Sequence, residues 1–190
     1  MKKRVLFFLI LLLCLPAADC LQEEEFLFRD RIAWGSAMDE TAGQKDGNTE
    51  KWTLTCGLTM LTCYNVPIGR YSGGLNYLFD SDSLVMAVVG INDPSEEKYR
   101  DLLETTKAEY GDETGRGYED FLTLLRYISP EAALNDSELH EFTSGQTSIW
   151  LCMESYDSQR EISILYVSPQ FRKLVEENAG PKNGVDTDGP

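Results

Sequence analysis

The sequence is poor in histidine and in positive charge. It contains one histidine, His140, which excludes metal sites and proton relays built from several histidines. Its 17 basic residues stand against 32 acidic ones, giving a formal net charge of −15. Such an acidic surface repels phosphate backbones and anionic headgroups, so neither nucleic-acid binding nor adsorption to a membrane surface is expected.

Long apolar runs are also scarce, and the clearest one follows three basic residues at the start of the chain. Residues 5–15 would span about 16 Å as a helix, roughly half a bilayer core, which is too short for a stable membrane anchor. A basic start, a short apolar run and the Ala17-Ala18 pair predict a signal peptide over residues 1–20. We therefore expect an exported protein, extracellular or in the cell envelope, with no membrane span in the mature chain.

Five cysteines leave few options for thiol chemistry. Cys20 is a lipidation candidate of the bacterial lipoprotein type, which would add a lipid anchor, although Asp19 is an unfavourable residue before such a cysteine. In an oxidising compartment Cys56, Cys63 and Cys152 are candidate disulfide partners. The alternative is that they are buried thiols, because each lies in an apolar pattern.

Local signals divide the rest of the chain into strands and helices. Residues 26–34 alternate apolar and charged side chains, as a half-buried strand does. A short helix is predicted from Ser36 to about Gly43. The best β region covers residues 52–91, where a switch of apolar parity near Met60 predicts a turn or bulge.

Turn and cap residues mark the later elements. Residues 71–79 and 84–91 form a predicted hairpin, and a helix is predicted to start at Asp93-Pro94 and to end at Gly111. The remaining predicted elements are a helix over 118–128, a hairpin of strands 148–153 and 161–167, and a last helix after Ser168-Pro169.

Strands that alternate with helices and return to neighbouring strands predict an α+β fold. We expect an antiparallel sheet with helices packed on one face, and the element order indicates two degenerate β–α–β–β units over 26–92 and 93–167. The predicted layout is a signal peptide (1–20), an acidic leader (21–25), a single globular domain (26–179) and a disordered tail (180–190).

One stretch resembles a known group of proteins. Residues 28–36, FRDRIAWGS, are similar to the FR-x-G-I-x-WG opening of small, uncharacterised exported proteins of Gram-positive gut bacteria. The chain departs from that pattern at Arg31, where glycine is usual, and at Thr41, where an aliphatic residue is usual. The resemblance implies export and, by fold-level analogy, a layout distantly similar to that of BamE-like envelope lipoproteins. It implies no catalytic residue.

The sequence predicts no catalytic, cofactor-binding or metal-binding residue. His140 lies in a charged stretch typical of an exposed helix end or loop, and it lacks the second histidine of a zinc-protease helix. Ser72 stands fourth, not third, among its glycines, so it does not fit a nucleophile elbow. The three tryptophans are predicted core anchors, with sugar-stacking platforms as the alternative: Trp34, Trp52 and Trp150.

Two functional classes remain. The first is a non-enzymatic binding or accessory module that presents a sheet face or its loops to an envelope protein or a glycan. The second is a small secreted hydrolase that uses two carboxylates on facing strands within about 10 Å of each other.

Overall fold

The computed structural model describes residues 32–43, 49–115, 117–132, 137–156 and 159–178. The predicted signal peptide, Cys20, the acidic leader and the predicted tail lie outside these ranges. No helix within them is long and apolar enough to cross a membrane.

Seven strands of the described chain form one sheet: β1 (Thr49–Thr53), β2 (Thr59–Ile68), β3 (Tyr71–Asp80), β4 (Ser83–Ile91), β5 (Glu138–Ser144), β6 (Thr147–Tyr156) and β7 (Gln159–Val167). Every neighbouring pair is antiparallel, and the order across the sheet is β1-β2-β3-β4-β7-β6-β5. Two meanders, β1–β4 and β5–β7, therefore meet where β4 pairs with β7. The predicted α+β class with an antiparallel sheet is confirmed.

The described residues also form four helices: α1 (Met38–Gly43), α2 (Glu96–Tyr110), α3 (Tyr118–Ile128) and α4 (Pro169–Asn178). Tyr99 of α2 is buried with Tyr77 on one side of the sheet, which we call the α2 face. Phe121 of α3 and Phe171 of α4 are buried with Trp150 on the other side, the α3–α4 face. The sheet is thus a middle layer between helices.

Helices on both faces differ from the prediction of helices on one face. The cause is visible in the central strands, which bury side chains of both parities. Met86 and Ala87 are consecutive in β4 and both are buried, on opposite faces of the sheet. A strand that is apolar on both sides needs cover on both sides.

The two predicted β–α–β–β units also take a different form. Within 26–92 the described residues form α1 followed by β1–β4, and within 93–167 they form α2 and α3 followed by β5–β7. In both ranges the strands follow the helices as one meander, so neither has the order β–α–β–β.

Most turns and caps lie where the sequence predicts them. The β3–β4 hairpin turns at Ser81, which has a φ of 59°, and α2 ends before Gly111, which has a φ of 84°. Helix α2 begins slightly later than predicted. Ser95, rather than Asp93, caps it by accepting a hydrogen bond from the Lys98 backbone N–H at 3.2 Å.

The β1–β2 connection differs from the prediction. The chain turns before Met60, between Leu54 and Leu58, where the Leu54 N–H bonds to the Leu58 carbonyl oxygen at 2.8 Å. The register of β2 shifts only after Cys63. Residues 32–34, predicted as the end of a strand, form no strand.

Candidate functional site

The α3–α4 face of the sheet is only partly covered by its helices. Trp150 and Leu165 are buried beneath them, whereas Asn76 and Gly90 on the same face are half-buried and Trp52 is 51% exposed. We call this less covered region the open face. It consists of Glu50, Trp52, Thr62, Tyr64, Gly74, Asn76, Gly90, Glu154, Glu161 and Ser163.

Two exposed aromatic rings mark one corner of the open face. Trp52 stands on the edge strand β1 opposite Met60, and Tyr64 on β2 is 45% exposed. The Tyr64 hydroxyl donates a hydrogen bond to Glu50 Oε2 at 3.0 Å, and this bond raises the pKa of Tyr64. The contact ties the Tyr64 ring to the strand that carries Trp52, so the two rings belong to one surface.

A polar pair lies beside the aromatic corner. Thr62 and Asn76 face each other on β2 and β3, and the Thr62 hydroxyl donates to Asn76 Oδ1 at 2.8 Å. That bond fixes the orientation of the amide. Asn76 Nδ2 has no partner in the described part of the chain and is not buried, so its two N–H groups are available to a ligand.

Two glycines form the floor of the open face. Gly74 and Gly90 lie directly opposite each other on β3 and β4. A Cβ atom built on Gly90 would meet no atom within 4 Å, and one built on Gly74 would meet only the Cys63 carbonyl oxygen at 4.0 Å. The sheet surface is therefore bare and shallow here, with room above the backbone for a flat ligand.

The far end of the open face is acidic. Glu154 on β6 and Glu161 on β7 are directly opposite each other. Burial raises the pKa of Glu154; the contact with the Cys152 thiol lowers it, and the charge of Glu161 raises it. None of the described strand positions on this face carries lysine or arginine.

The three candidate disulfide cysteines form no disulfide within the described residues and lie at separate places. Cys63 is buried on the α2 face and Cys152 on the α3–α4 face, so the sheet stands between them. Cys56 is half-buried in the turn before β2. Burial raises the pKa of the Cys152 thiol, which keeps it protonated and a poor nucleophile.

His140 lies in strand β5, not in an exposed helix end or loop. Its side chain is 17% exposed, with Nδ1 2.9 Å from Glu113 Oε2 and Nε2 3.2 Å from Glu138 Oε1. Its ring lies near Tyr99 on the α2 face, opposite to the face of Cys152, so these two side chains form no nucleophilic pair. No metal-binding group of three or more His, Cys, Asp or Glu side chains occurs in the described ranges.

A cavity of about 350 Å³ lies between the β5–β6 hairpin and α4, away from the open face. It is lined by Thr143, Gly145, Gln146, Ser148, Pro169, Arg172, Lys173 and Glu176. Arg172 lies 3.0 Å from Glu141, whose side chain is 1% exposed and also accepts the Thr114 hydroxyl at 2.8 Å. Arg172 is the main cation of this cavity, and it already neutralises the buried carboxylate of Glu141. We therefore assign this ion pair a structural role.

The three tryptophans take three different positions. Trp150 is fully buried in the core, as predicted. Trp34 is half-buried, and its Nε1 donates to Thr147 Oγ1 at 2.8 Å. The prediction of a core position is wrong for Trp52. Its sequence neighbours are polar or charged, and a short strand of that kind is typical of a sheet edge. The sequence therefore did contain a signal that Trp52 is exposed.

No protein-family model matches the chain, and comparison with curated proteins and with solved structures found no significant match. The functional argument therefore depends on the geometry of the open face.

Proposed function

We propose that the protein is a non-enzymatic binding module whose open face takes a glycan. The observation that supports this is the pairing of exposed Trp52 and Tyr64 with the solvent-facing amide of Asn76 on one flat sheet surface. Aromatic rings stack on the apolar C–H faces of sugars, while amide and carboxylate groups bond to sugar hydroxyls. The glycine floor lets a flat chain approach the backbone.

The test is to measure the binding of neutral oligosaccharides, including cello-oligomers and chitin oligomers, by isothermal titration calorimetry. We expect Trp52→Ala to weaken binding about tenfold or more, because it removes the larger stacking surface, which corresponds to about 1.4 kcal/mol. Trp52→Phe should retain part of the affinity. The folded state should survive both changes, since the ring is 51% exposed.

Tyr118→Ala is the matched control, because Tyr118 is a 42% exposed aromatic outside the open face, at the start of α3. Its affinity should equal that of the wild type. If neither chitin oligomers nor cello-oligomers bind, or if Trp52→Ala and Tyr118→Ala behave alike, the proposal is wrong.

We also propose that the module acts outside the cytoplasm. The basic start and short apolar run of residues 1–20 support export. Intact-mass measurement of protein recovered from the medium and the envelope should show a chain shortened by about this segment. A further mass increase of diacylglycerol size would indicate lipidation at Cys20, and an uncleaved chain confined to the cytoplasm would contradict export.

The second candidate, a carboxylate-dependent hydrolase, is favoured by one observation. Glu154 and Glu161 face each other across two strands, and burial raises the pKa of Glu154, as suits a general acid. If this candidate is correct, incubation with the bound oligosaccharide yields shorter products, and Glu154→Gln abolishes them. If the oligosaccharide is unchanged after prolonged incubation, the hydrolase candidate is wrong and only the binding module remains as a proposal.

A further inference from the structure

We infer that the open face selects a glycan whose sugars carry an N-acetyl group, an acetamide at the carbon where cellulose has a hydroxyl. This inference rests on the proposed glycan-binding function and names the chemical class of the ligand. Three neighbouring features support it: the oriented amide of Asn76, the half-buried side chain of Val88 opposite it, and the glycine floor beside them.

Asn76 offers hydrogen-bond donors at a fixed place. Thr62 is buried on β2 directly opposite Asn76, and its hydroxyl donates to Asn76 Oδ1 at 2.8 Å. This bond occupies the carbonyl end of the amide and leaves the two N–H groups of Nδ2 for a ligand. The carbonyl oxygen of an acetamide is an acceptor that suits such donors.

Val88 supplies an apolar contact next to this donor. It lies on β4 directly opposite Asn76, so both side chains project from the same side of the sheet. Val88 packs against the core of the α3–α4 face but is only half-buried, so part of it faces solvent. An acetamide that accepts from Asn76 can therefore place its methyl group on Val88. A sugar hydroxyl in that place would lose water against Val88 without gaining a partner.

The glycine pair leaves room for the acetamide. Gly74 and Gly90 are opposite each other, two residues along their strands from Asn76 and Val88, and hence on the same side of the sheet. A Cβ atom on Gly90 would meet no atom within 4 Å. The exposed Tyr64 ring lies on the neighbouring strand β2. A sugar that stacks on this ring can therefore direct its acetamide over the glycine floor.

The experiment compares chitin oligomers with cello-oligomers of equal length by isothermal titration calorimetry. Both are neutral chains with the same linkage, and they differ in the one substituent that the inference concerns. We expect the wild type to prefer the chitin oligomer about tenfold, the value of one hydrogen bond with a small apolar contact. Asn76→Asp should abolish the preference, because it replaces the N–H donors by an oxygen that repels the acetamide carbonyl.

Two further positions test the donor and the apolar contact separately. Thr62→Val removes the hydroxyl that orients the amide and should lower the preference, whereas Thr62→Ser keeps the hydroxyl and should retain it. Val88→Thr replaces a methyl group by a hydroxyl and should also lower the preference. Cooperative urea unfolding of each variant identifies those that are folded and can be compared.

Asn178→Asp is the matched control, because it makes the same chemical change at an exposed position at the end of α4. It should keep the preference. If the wild type binds both oligomers equally, or if folded Asn76→Asp keeps the preference, the inference is overturned while the proposed function stands. If neither oligomer binds, both are overturned. If a neutral extended peptide displaces the chitin oligomer at equal concentration, Asn76 binds a peptide amide and the inference is overturned.

The source of the acetamido sugar is distinguished by one more ligand. Glycan strands of bacterial walls also carry acetamides, but alternate sugars bear a carboxylate. Because the chain has a formal net charge of −15, we expect the neutral chitin oligomer to bind more tightly than a wall fragment of equal length. A wall fragment that binds more tightly than both neutral oligomers would support the acetamide and identify the wall as its source.

Discussion

Glu141 and Glu154 show how a neighbour decides the role of a carboxylate. Both lie on the α3–α4 face and both lose part of their hydration. Glu141 is compensated by Arg172 at 3.0 Å and by the Thr114 hydroxyl, so its buried charge is neutralised where α4 covers the sheet. Glu154 contacts the Cys152 thiol and faces Glu161, and burial raises its pKa, so its ionisation costs the folded state free energy.

That cost predicts a pH dependence for Glu154→Gln. The folded state holds the pKa of Glu154 above its unfolded value, so folding favours the protonated form. The cost is full when the pH lies above the folded pKa, and it disappears as the pH falls towards the unfolded pKa of about 4.3. We expect Glu154→Gln to be more stable than the wild type at pH 7 and to lose that advantage by about pH 4.

Urea unfolding between pH 4 and pH 8 measures this difference. Glu104→Gln should follow the wild type throughout, because Glu104 is exposed and remote from the acidic pair. A Glu154→Gln variant that is less stable than the wild type at pH 7 would show that the carboxylate is stabilising, contrary to this account.

At the scale of elements, Gly73 on strand β3 and Gly90 on strand β4 differ in the room they leave for a side chain. A Cβ atom on Gly73 would overlap the Gly90 carbonyl oxygen and lie 2.7 Å from Ile68 Cδ1, both parts of the packed interior. We expect Gly73→Ala to lower the free energy of unfolding by about 1–3 kcal/mol, the usual cost of overpacking. Urea unfolding is again the measurement.

Gly90→Ala is the matched control on the adjacent strand, since its Cβ would meet no atom within 4 Å. We expect it to be neutral or slightly stabilising, because alanine loses less chain entropy than glycine on folding. Equal losses in the two variants would contradict the assigned packing of β3 on β4.

Elements bounded by clear turn and cap residues could be predicted from sequence, and elements without such boundaries could not. The β3–β4 hairpin and helices α2, α3 and α4 are bounded by turn and cap residues, and each appears close to its predicted limits. Strand β5 was missed, because His140 and its acidic neighbours resemble an exposed loop. They are tolerated in a strand because His140 lies between two carboxylates and Glu141 is paired with Arg172. Two of these partners, Glu113 and Arg172, come from distant parts of the chain.

At the scale of the whole molecule, the open face is the part of the sheet that the helices leave uncovered. It depends on how the elements pack, which explains why sequence reasoning did not find it. Helices α3 and α4 are each about 10 Å in diameter, so side by side they cover about 20 Å of the sheet. Seven strands give a sheet about 29 Å wide, so two helices leave part of this face uncovered. The polar neighbours of Trp52 indicate its place on an exposed edge strand, but no local pattern encodes how much of the sheet the helices leave uncovered.

The meeting of the two meanders at β4 and β7 also governs how the chain behaves while it is being made. Met86 on β4 pairs with Val167 on β7, which is translated 81 residues later (167 − 86). Until then the apolar β4, Ser83–Ile91, has one bare edge of the kind that recruits other nascent chains. Completion of the sheet is thereby delayed until β7 has been translated, and a chaperone that shields β4 would protect the polypeptide during that interval.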